Sequence, residues 1–196
     1  MQILHPCRGS LQQYLEQLSD WESPRPARCP MCEADQPLIA HGFYARTLEH
    51  LGFDDEIRVR RYLCQACQRT VSLLPHLALP YLRSSVVLIA LWLVTRLLPD
   101  SAGPRPPAMP YRRGQFWLRR FLDQAPALCT ALAHLVRPPS MASGFATRAA
   151  QMLESAGWLP AHHFLFADLR AHLLGWPPSL APAGLRRTIR PAAAPA

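Results

Sequence analysis

The chain has 196 residues, 49% of them hydrophobic, and a formal net charge of +8. That is enough to bury one moderate core beside a small stapled module, and the uncharged run in the most apolar stretch, residues 84–95, falls well short of the roughly 20 residues a membrane span needs. With nine glycines and 21 prolines it is poorly composed for a doubly wound enzyme fold.

The positive charge is carried entirely by 21 arginines, with no lysine. Residues 1–56 hold four arginines and nine carboxylates, a balance of −5, and residues 57–196 hold 17 arginines and four carboxylates, a balance of +13. A basic block of this size points to a polyanionic partner, and nucleic acid is the first expectation. The competing reading is a solvated arginine surface that keeps an apolar protein soluble.

Residues 1–9 show no charged, apolar, cleavable leader, so a cytoplasmic protein is expected. Residues 10–20 read as a short amphipathic helix. Ser10 and Gln13 have capping-box spacing, and Leu11, Tyr14, Leu15 and Leu18 form its apolar stripe. Residues 21–27, with Pro24 and Pro26, read as a linker.

Cys29-Pro30-Met31-Cys32 and Cys64-Gln65-Ala66-Cys67 follow, with residues 33–63 between them. A Cys-x-x-Cys turn points both sulfurs the same way, so two such knuckles can close a tetrahedron on one ion. Four thiolates leave no open coordination position, which makes the expected cofactor one structural Zn2+. Disulfides would need an oxidising compartment, and a redox Cys-x-x-Cys would need no second copy. His41, His50 and His76 could each replace a thiolate but read as ordinary hairpin and linker residues. Cys7 and Cys129 have no such partner and read as free thiols.

Between the knuckles, residues 38–46 and 56–63 read as two strands joined by a loop at residues 51–55. In the second strand Ile57, Val59 and Leu63 share one face, and Arg58, Arg60 and Tyr62 share the other. A third strand, residues 70–74, stops at Pro75. Knuckle, hairpin, knuckle, strand is a zinc ribbon.

On these residues the chain resembles a known group. The run Cys29-Pro30-x-Cys32, then His41-Gly42-Phe43-Tyr44-x-Arg46, then Arg58-Val59-Arg60-Arg61-Tyr62-x-Cys64-x-x-Cys67-x-Arg69-Thr70-Val71-Ser72-x-Leu74-Pro75 is similar to bacterial zinc-ribbon proteins of undetermined function. These in turn resemble the zinc-binding N-terminal modules of insertion-sequence transposases. The resemblance is specific from Cys29 to about Tyr81 and weaker from Tyr111 to Arg120. It implies DNA recognition in a mobile-element setting and identifies no reaction.

Residues 75–81 read as an extended connector. Residues 83–98 then form the most apolar stretch, with apolar groups all round the axis, so a central buried helix is expected. Residues 100–110 hold Pro104, Pro106, Pro107 and Pro110 and read as a loop, where a helix-turn-helix would place its short first helix.

Residues 111–124 read as a helix with two faces. At 100° per residue Arg112, Arg113, Arg119 and Arg120 fall within an arc of about 120° with Phe116 in its middle, and Trp117, Leu118, Phe121 and Leu122 take the core side. Residues 127–136, 145–156 and 160–174 read as further helices, with Gly157 and Gly175 as stops. Phe166, Leu169 and Leu173 are expected in the core. His162, His163 and His172 resemble a second metal cluster, but their spacing argues against one. Residues 177–196, with Arg186, Arg187 and Arg190, read as a basic Pro/Ala-rich tail without fixed structure.

The expected fold class is α+β. Residues 1–27 are the N-terminal helix and linker, 28–81 the zinc ribbon, 82–175 an all-α domain and 176–196 the tail. After Cys67 the only acids are Asp100, Asp123, Glu154 and Asp168, too scattered for a two-metal nuclease, and no nucleophile or phosphate-loop motif occurs, so no catalysis is expected. The leading expectation is a DNA-binding accessory or regulator that contacts double-stranded DNA. Its candidate contacts are Arg58, Arg60 and Arg61 on the ribbon and Arg112, Arg113, Phe116, Arg119 and Arg120 on the helix. The alternative is an adaptor that docks on a transposase or recombinase.

Overall fold

The computed structural model describes residues 1–5, 10–17, 25–101, 103–139 and 144–175. Its elements are β1 (Gln2–His5), α1 (Leu11–Gln17), β2 (Leu38–His50), β3 (Phe53–Cys64), β4 (Thr70–Pro75), α2 (Val86–Leu97), α3 (Tyr111–Leu132), α4 (Phe145–Ala156) and α5 (Trp158–Ala167). One four-stranded sheet, ordered β1-β4-β3-β2, is followed by helices, an α+β arrangement. No helix among the described residues is long and apolar enough to cross a membrane. Cys7, Leu18 and residues 177–196 lie outside the described residues.

The hairpin is longer than its sequence suggests. The expected loop at residues 51–55 contracts to a turn at Leu51-Gly52, with Gly52 at φ +70°, and the strands run into it on both sides. β1, which carries no motif, pairs in parallel with β4, matching Leu4 to Leu74 and His5 to Pro75. Proline is tolerated there because it sits at the strand's end.

A bulge decides which side chains point where. Ala40 pairs with Tyr62 but Phe43 pairs with Arg60, so His41 and Gly42 together oppose one residue of β3. Gly42 adopts φ +80°, the conformation a bulge of this kind demands. Side-chain parity along β2 therefore flips. Leu38 lies with Cys64 on one face, whereas Tyr44, Arg46 and Leu48 lie with Val59 and Ile57 on the other.

Each face carries its own small core. Leu48, Ile57, Val59 and Leu74 are buried with Leu11 and Tyr14 of α1 and with Leu77 and Ala78 of the connector. The opposite face, near the knuckles, buries Leu38, Tyr62, Val71 and Leu73 around Cys29 and Cys64. α1 docks as its stripe predicts, with the Tyr14 hydroxyl donating to the Arg58 carbonyl at 2.8 Å. The capping box forms in both directions between Ser10 and Gln13, but Leu15 of the stripe is exposed. Arg46, mostly buried, donates to the carbonyls of Leu79 and Leu82 and ties the connector to the sheet.

Residues 83–85 do not join α2. Ser85 caps it, its hydroxyl accepting from the Leu88 amide at 3.2 Å, because Glu49 has captured the backbone just ahead. Val86, Leu88, Ile89, Ala90, Trp92 and Leu93 are buried, so α2 is the central helix its composition implies.

The two helices expected at residues 111–124 and 127–136 are one, α3, with Pro126 inside it. Gly114, Trp117, Phe121, Ala125, Leu128 and Leu132 form a continuous buried stripe at spacings of three and four. Packing of that stripe outweighs the missing proline N–H, whose lost partner would be the carbonyl of Leu122, an exposed residue. Leu122 is therefore not the core residue expected.

α5 starts earlier and stops sooner than residues 160–174. It ends at Ala167, after which Arg170 takes φ +52° and the chain turns back to bury His172, Leu173 and Leu174. Phe166 is buried as expected, while Leu169 is exposed.

Gly114 marks the closest approach of α3 to α2. A Cβ there would meet the Trp92 indole at 2.3 Å. Alanine normally favours a helix over glycine by about 1 kcal/mol. Gly114→Ala should nevertheless destabilise the fold, by roughly 1–3 kcal/mol as for other overpacked sites. A thermal or urea midpoint equal to or above that of the parent would show that the two helices do not meet here.

Candidate metal centre and cationic surface

The two knuckles have the same backbone. In the first, the Cys29 amide donates to the Ala34 carbonyl at 3.1 Å and the Glu33 amide to the Cys29 carbonyl at 2.9 Å. In the second, the Cys64 amide donates to the Arg69 carbonyl at 2.9 Å and the Gln68 amide to the Cys64 carbonyl at 2.9 Å. Glu33 and Gln68 both take positive φ, +59° and +55°, which turns each chain back behind its second cysteine.

This arrangement gathers Cys29, Cys32, Cys64 and Cys67 with their sulfurs within 4.8 Å of one another. Two cross-knuckle separations are 3.8 Å (Cys29 to Cys67) and 3.7 Å (Cys32 to Cys64). A tetrahedron with Zn–S bonds near 2.3 Å has edges of about 3.8 Å, so the donor set fits four-coordinate zinc. The Met31 amide points at Cys29 Sγ at 3.4 Å and the Cys67 amide at Cys64 Sγ at 3.5 Å, orienting both sulfurs. Among the described residues no other group of three or more His, Cys, Asp or Glu residues is placed to hold a metal.

The crowding of the sulfurs moves Cys29 and Cys32 in opposite directions. Burial alone would raise Cys29, but the amides of Met31 and Cys32 and the neighbouring thiols bring it down to about 7. At Cys32 the Ala34 amide favours the thiolate, yet burial and the three other thiols push it up to about 12. Cys129 is a free thiol, as expected, raised by burial.

His41, His50 and His76 stand outside the metal cluster. His50 Nδ1 meets Ser85 Oγ at 2.9 Å. His162 is fully buried, with the Ala78 backbone beside its ring, and His172 Nε2 meets the Pro80 carbonyl at 2.9 Å.

On the knuckle-side face, beyond the buried Tyr62, the hairpin carries a stack of alternating arginines and rings. The guanidinium of Arg58 lies 4.5 Å from the Phe43 centroid, and that of Arg60 lies 4.8 Å from Phe43 and 5.3 Å from Tyr62. Cation–π attraction thus holds two arginines on the outside of the sheet. Arg58 is exposed and forms no ion pair among the described residues. Arg61 points the other way, 5.8 Å from the Tyr44 ring and 3.4 Å from Thr70 Oγ1.

The four arginines of α3 separate into two kinds. Arg113 forms an ion pair with Glu49 of β2, and Arg120 donates to the Gly175 carbonyl while lying 5.4 Å from Phe116. Both are partly buried, and Phe116 packs against the helical core rather than standing exposed. Arg112 and Arg119 remain exposed and flank a shallow depression of about 290 Å³ with Tyr111, Gln115 and Phe116.

A family model described as "Domain of unknown function (DUF6431)" matches residues 29–102. The match covers the ribbon, the connector and α2 and ends before α3. No curated protein and no solved structure matches the chain.

Sequence reasoning missed Glu49 and Arg46 as structural centres. Glu49 Oε2 accepts from Ser84 Oγ at 3.0 Å and Oε1 holds Arg113, while its backbone brackets Arg83 and Ser85 at 2.7 and 2.8 Å. Nothing in its local sequence distinguishes it from Glu56 or Asp55. Only the contact with α3, 64 positions away, does so.

Proposed function

We propose that this protein is a zinc-ribbon DNA-binding protein, with one structural zinc on Cys29, Cys32, Cys64 and Cys67. It would act as an accessory or regulator in a mobile-element setting, without a catalytic site of its own. The observation that carries this reading is the Arg58–Phe43–Arg60 stack. Two guanidinium groups, that of the exposed Arg58 and that of the partly buried Arg60, are pre-oriented on one ring, in a chain whose charge is strongly positive. Pre-ordering lowers the entropic cost of each phosphate contact.

The stack also favours duplex over single strand. Single-strand readers leave aromatic faces open for bases to stack on. Here guanidinium groups cover the Phe43 ring, so the surface is suited to a phosphate backbone. Arg112 and Arg119 supply a second patch of the same kind. The motif resemblance from Cys29 to Tyr81 supports the mobile-element setting.

The test is binding to a labelled duplex as salt is varied. Each phosphate contact adds about −0.9 to the slope of log affinity against log salt. Replacing Arg58 and Arg60 by alanine, or Arg112 and Arg119 by alanine, should therefore flatten the slope by about 1.8 in each case. Arg113 and Arg120 are left in place because they hold the fold. If neither double variant changes affinity or slope, the DNA reading fails. The adaptor reading would then lead, with exposed side chains such as Phe145 as docking groups.

A further inference from the structure

The geometry points to Glu49 as a positioning residue that holds the two cationic patches in fixed relation, so that both engage the same stretch of one duplex. This deepens the DNA-binding reading and rests on it. The strand register supplies the first half of the argument. Beyond the bulge, Phe43, Ala45 and Glu49 share one face of β2 and pair with Arg60, Arg58 and Asp54. Glu49 therefore stands on the same face as the arginine stack, four residues or about 13 Å along the strand from the partner of Arg58.

The second half is what Glu49 holds. Its carboxylate takes Arg113 of α3 on one oxygen and Ser84 on the other, and only 17% of its side chain is exposed. Arg112 is the neighbour of Arg113, and Arg119 lies six residues beyond Arg113, about 9 Å along the helix. The strand that carries the stack and the helix that carries the second patch thus meet at one partly buried acid. Two of the carboxylates at this end of the hairpin are ion-paired, Asp54 with Arg83 at 2.6 Å and Glu49 with Arg113, while Asp55 and Glu56 are exposed and form no ion pair among the described residues.

Two patches joined rigidly bind one ligand more tightly than either alone, provided the ligand is long enough to reach both. The path of about 13 Å along the strand and a further 9 Å or so along the helix to Arg119 is longer than a hairpin of about 5 base pairs, roughly 17 Å, and well within a duplex of about 16 base pairs, roughly 54 Å.

The decisive variant is Glu49→Gln, because charge and positioning predict opposite signs. Removing a carboxylate raises the net charge from +8 to +9, so attraction alone would tighten binding to every duplex. Loss of the Arg113 clamp should instead weaken binding to the 16-base-pair duplex on the order of tenfold while leaving the 5-base-pair hairpin within about twofold. Unchanged or tighter binding to the long duplex would overturn the proposal, and so would equal weakening on both lengths.

Stoichiometry of the unaltered protein gives a check that needs no variant. One 16-base-pair duplex per chain is expected by titration calorimetry, and two per chain would mean that the patches act separately. Failure of the DNA reading itself looks different: the Arg58/Arg60 and Arg112/Arg119 double variants would then bind like the parent.

Discussion

Replacing Cys64 and Cys67 together by serine should abolish zinc binding and unfold the knuckle end of the sheet while its other end stays folded. The expected split follows from how the two small cores are built. On the knuckle face, two of the six buried residues, Cys29 and Cys64, belong to the four-cysteine cluster that could hold the metal. Without an ion that core loses the bond linking its two sides, and structural zinc in comparable peptides contributes about 10–16 kcal/mol of apparent binding free energy at neutral pH. The opposite face is independent of the metal. Leu48, Ile57, Val59 and Leu74 pack on α1 and the connector, and Arg46 ties that connector in place. Hydrogen exchange in the double variant should therefore lose protection at residues 28–40 and 60–72 and retain it at residues 44–50 and in α2. Metal content measured alongside gives the direct readout. Stoichiometric zinc retained by the double variant would rule out the four-cysteine site.

Acid should destabilise the helical half through two histidines. His162 is fully buried, and burial, with His172 and then His163 and His76 adding positive charge, lowers it to about 3 against the opposing pull of the Ala78 backbone. His172 is lowered to about 4, mainly by burial and further by Arg120. Both therefore fold as neutral rings, against a usual value near 6.5. In His172 the Leu174 amide donates to Nδ1, so that nitrogen must stay unprotonated for the turn after α5 to close. Because the folded values lie below the unfolded one, this stability is fully present above about pH 6.5 and is lost as pH falls toward 4 and 3. Between about pH 6.5 and 4 the unfolded chain binds up to two more protons than the folded one, so stability falls with falling pH, and below 4 the difference shrinks toward one proton as His172 protonates in the fold. His162→Leu removes one of the two titrating rings and a fully buried polar group. It should gain roughly 1–3 kcal/mol at pH 7 and halve the acid slope in urea titrations. An acid slope identical to that of the parent would show that His162 does not titrate on unfolding.

What the sequence determined by itself were features whose cause is local. The doubled Cys-x-x-Cys spacing specifies the knuckles, because each turn needs only its own few residues. Alternation placed β3 and β4, the Ser10–Gln13 box started α1, and Gly157 ended α4 within a residue of expectation. The apolar girth of residues 86–97 made α2 central without reference to any partner.

Tertiary structure decided what depends on distant partners. β1 is a strand only because β4 offers an edge roughly 70 residues away. α3 runs through Pro126 because a buried stripe extending to Leu132 stabilises it more than one lost hydrogen bond costs. The sharpest case is the arginine arc on α3. Helical periodicity correctly set Arg112, Arg113, Arg119 and Arg120 on one side, but periodicity is blind to what stands opposite. Glu49 and the Gly175 carbonyl take up Arg113 and Arg120 and leave only Arg112 and Arg119 exposed. A guanidinium can serve a fold or a ligand equally well, and which of these it does is settled by long-range contacts that local sequence does not encode.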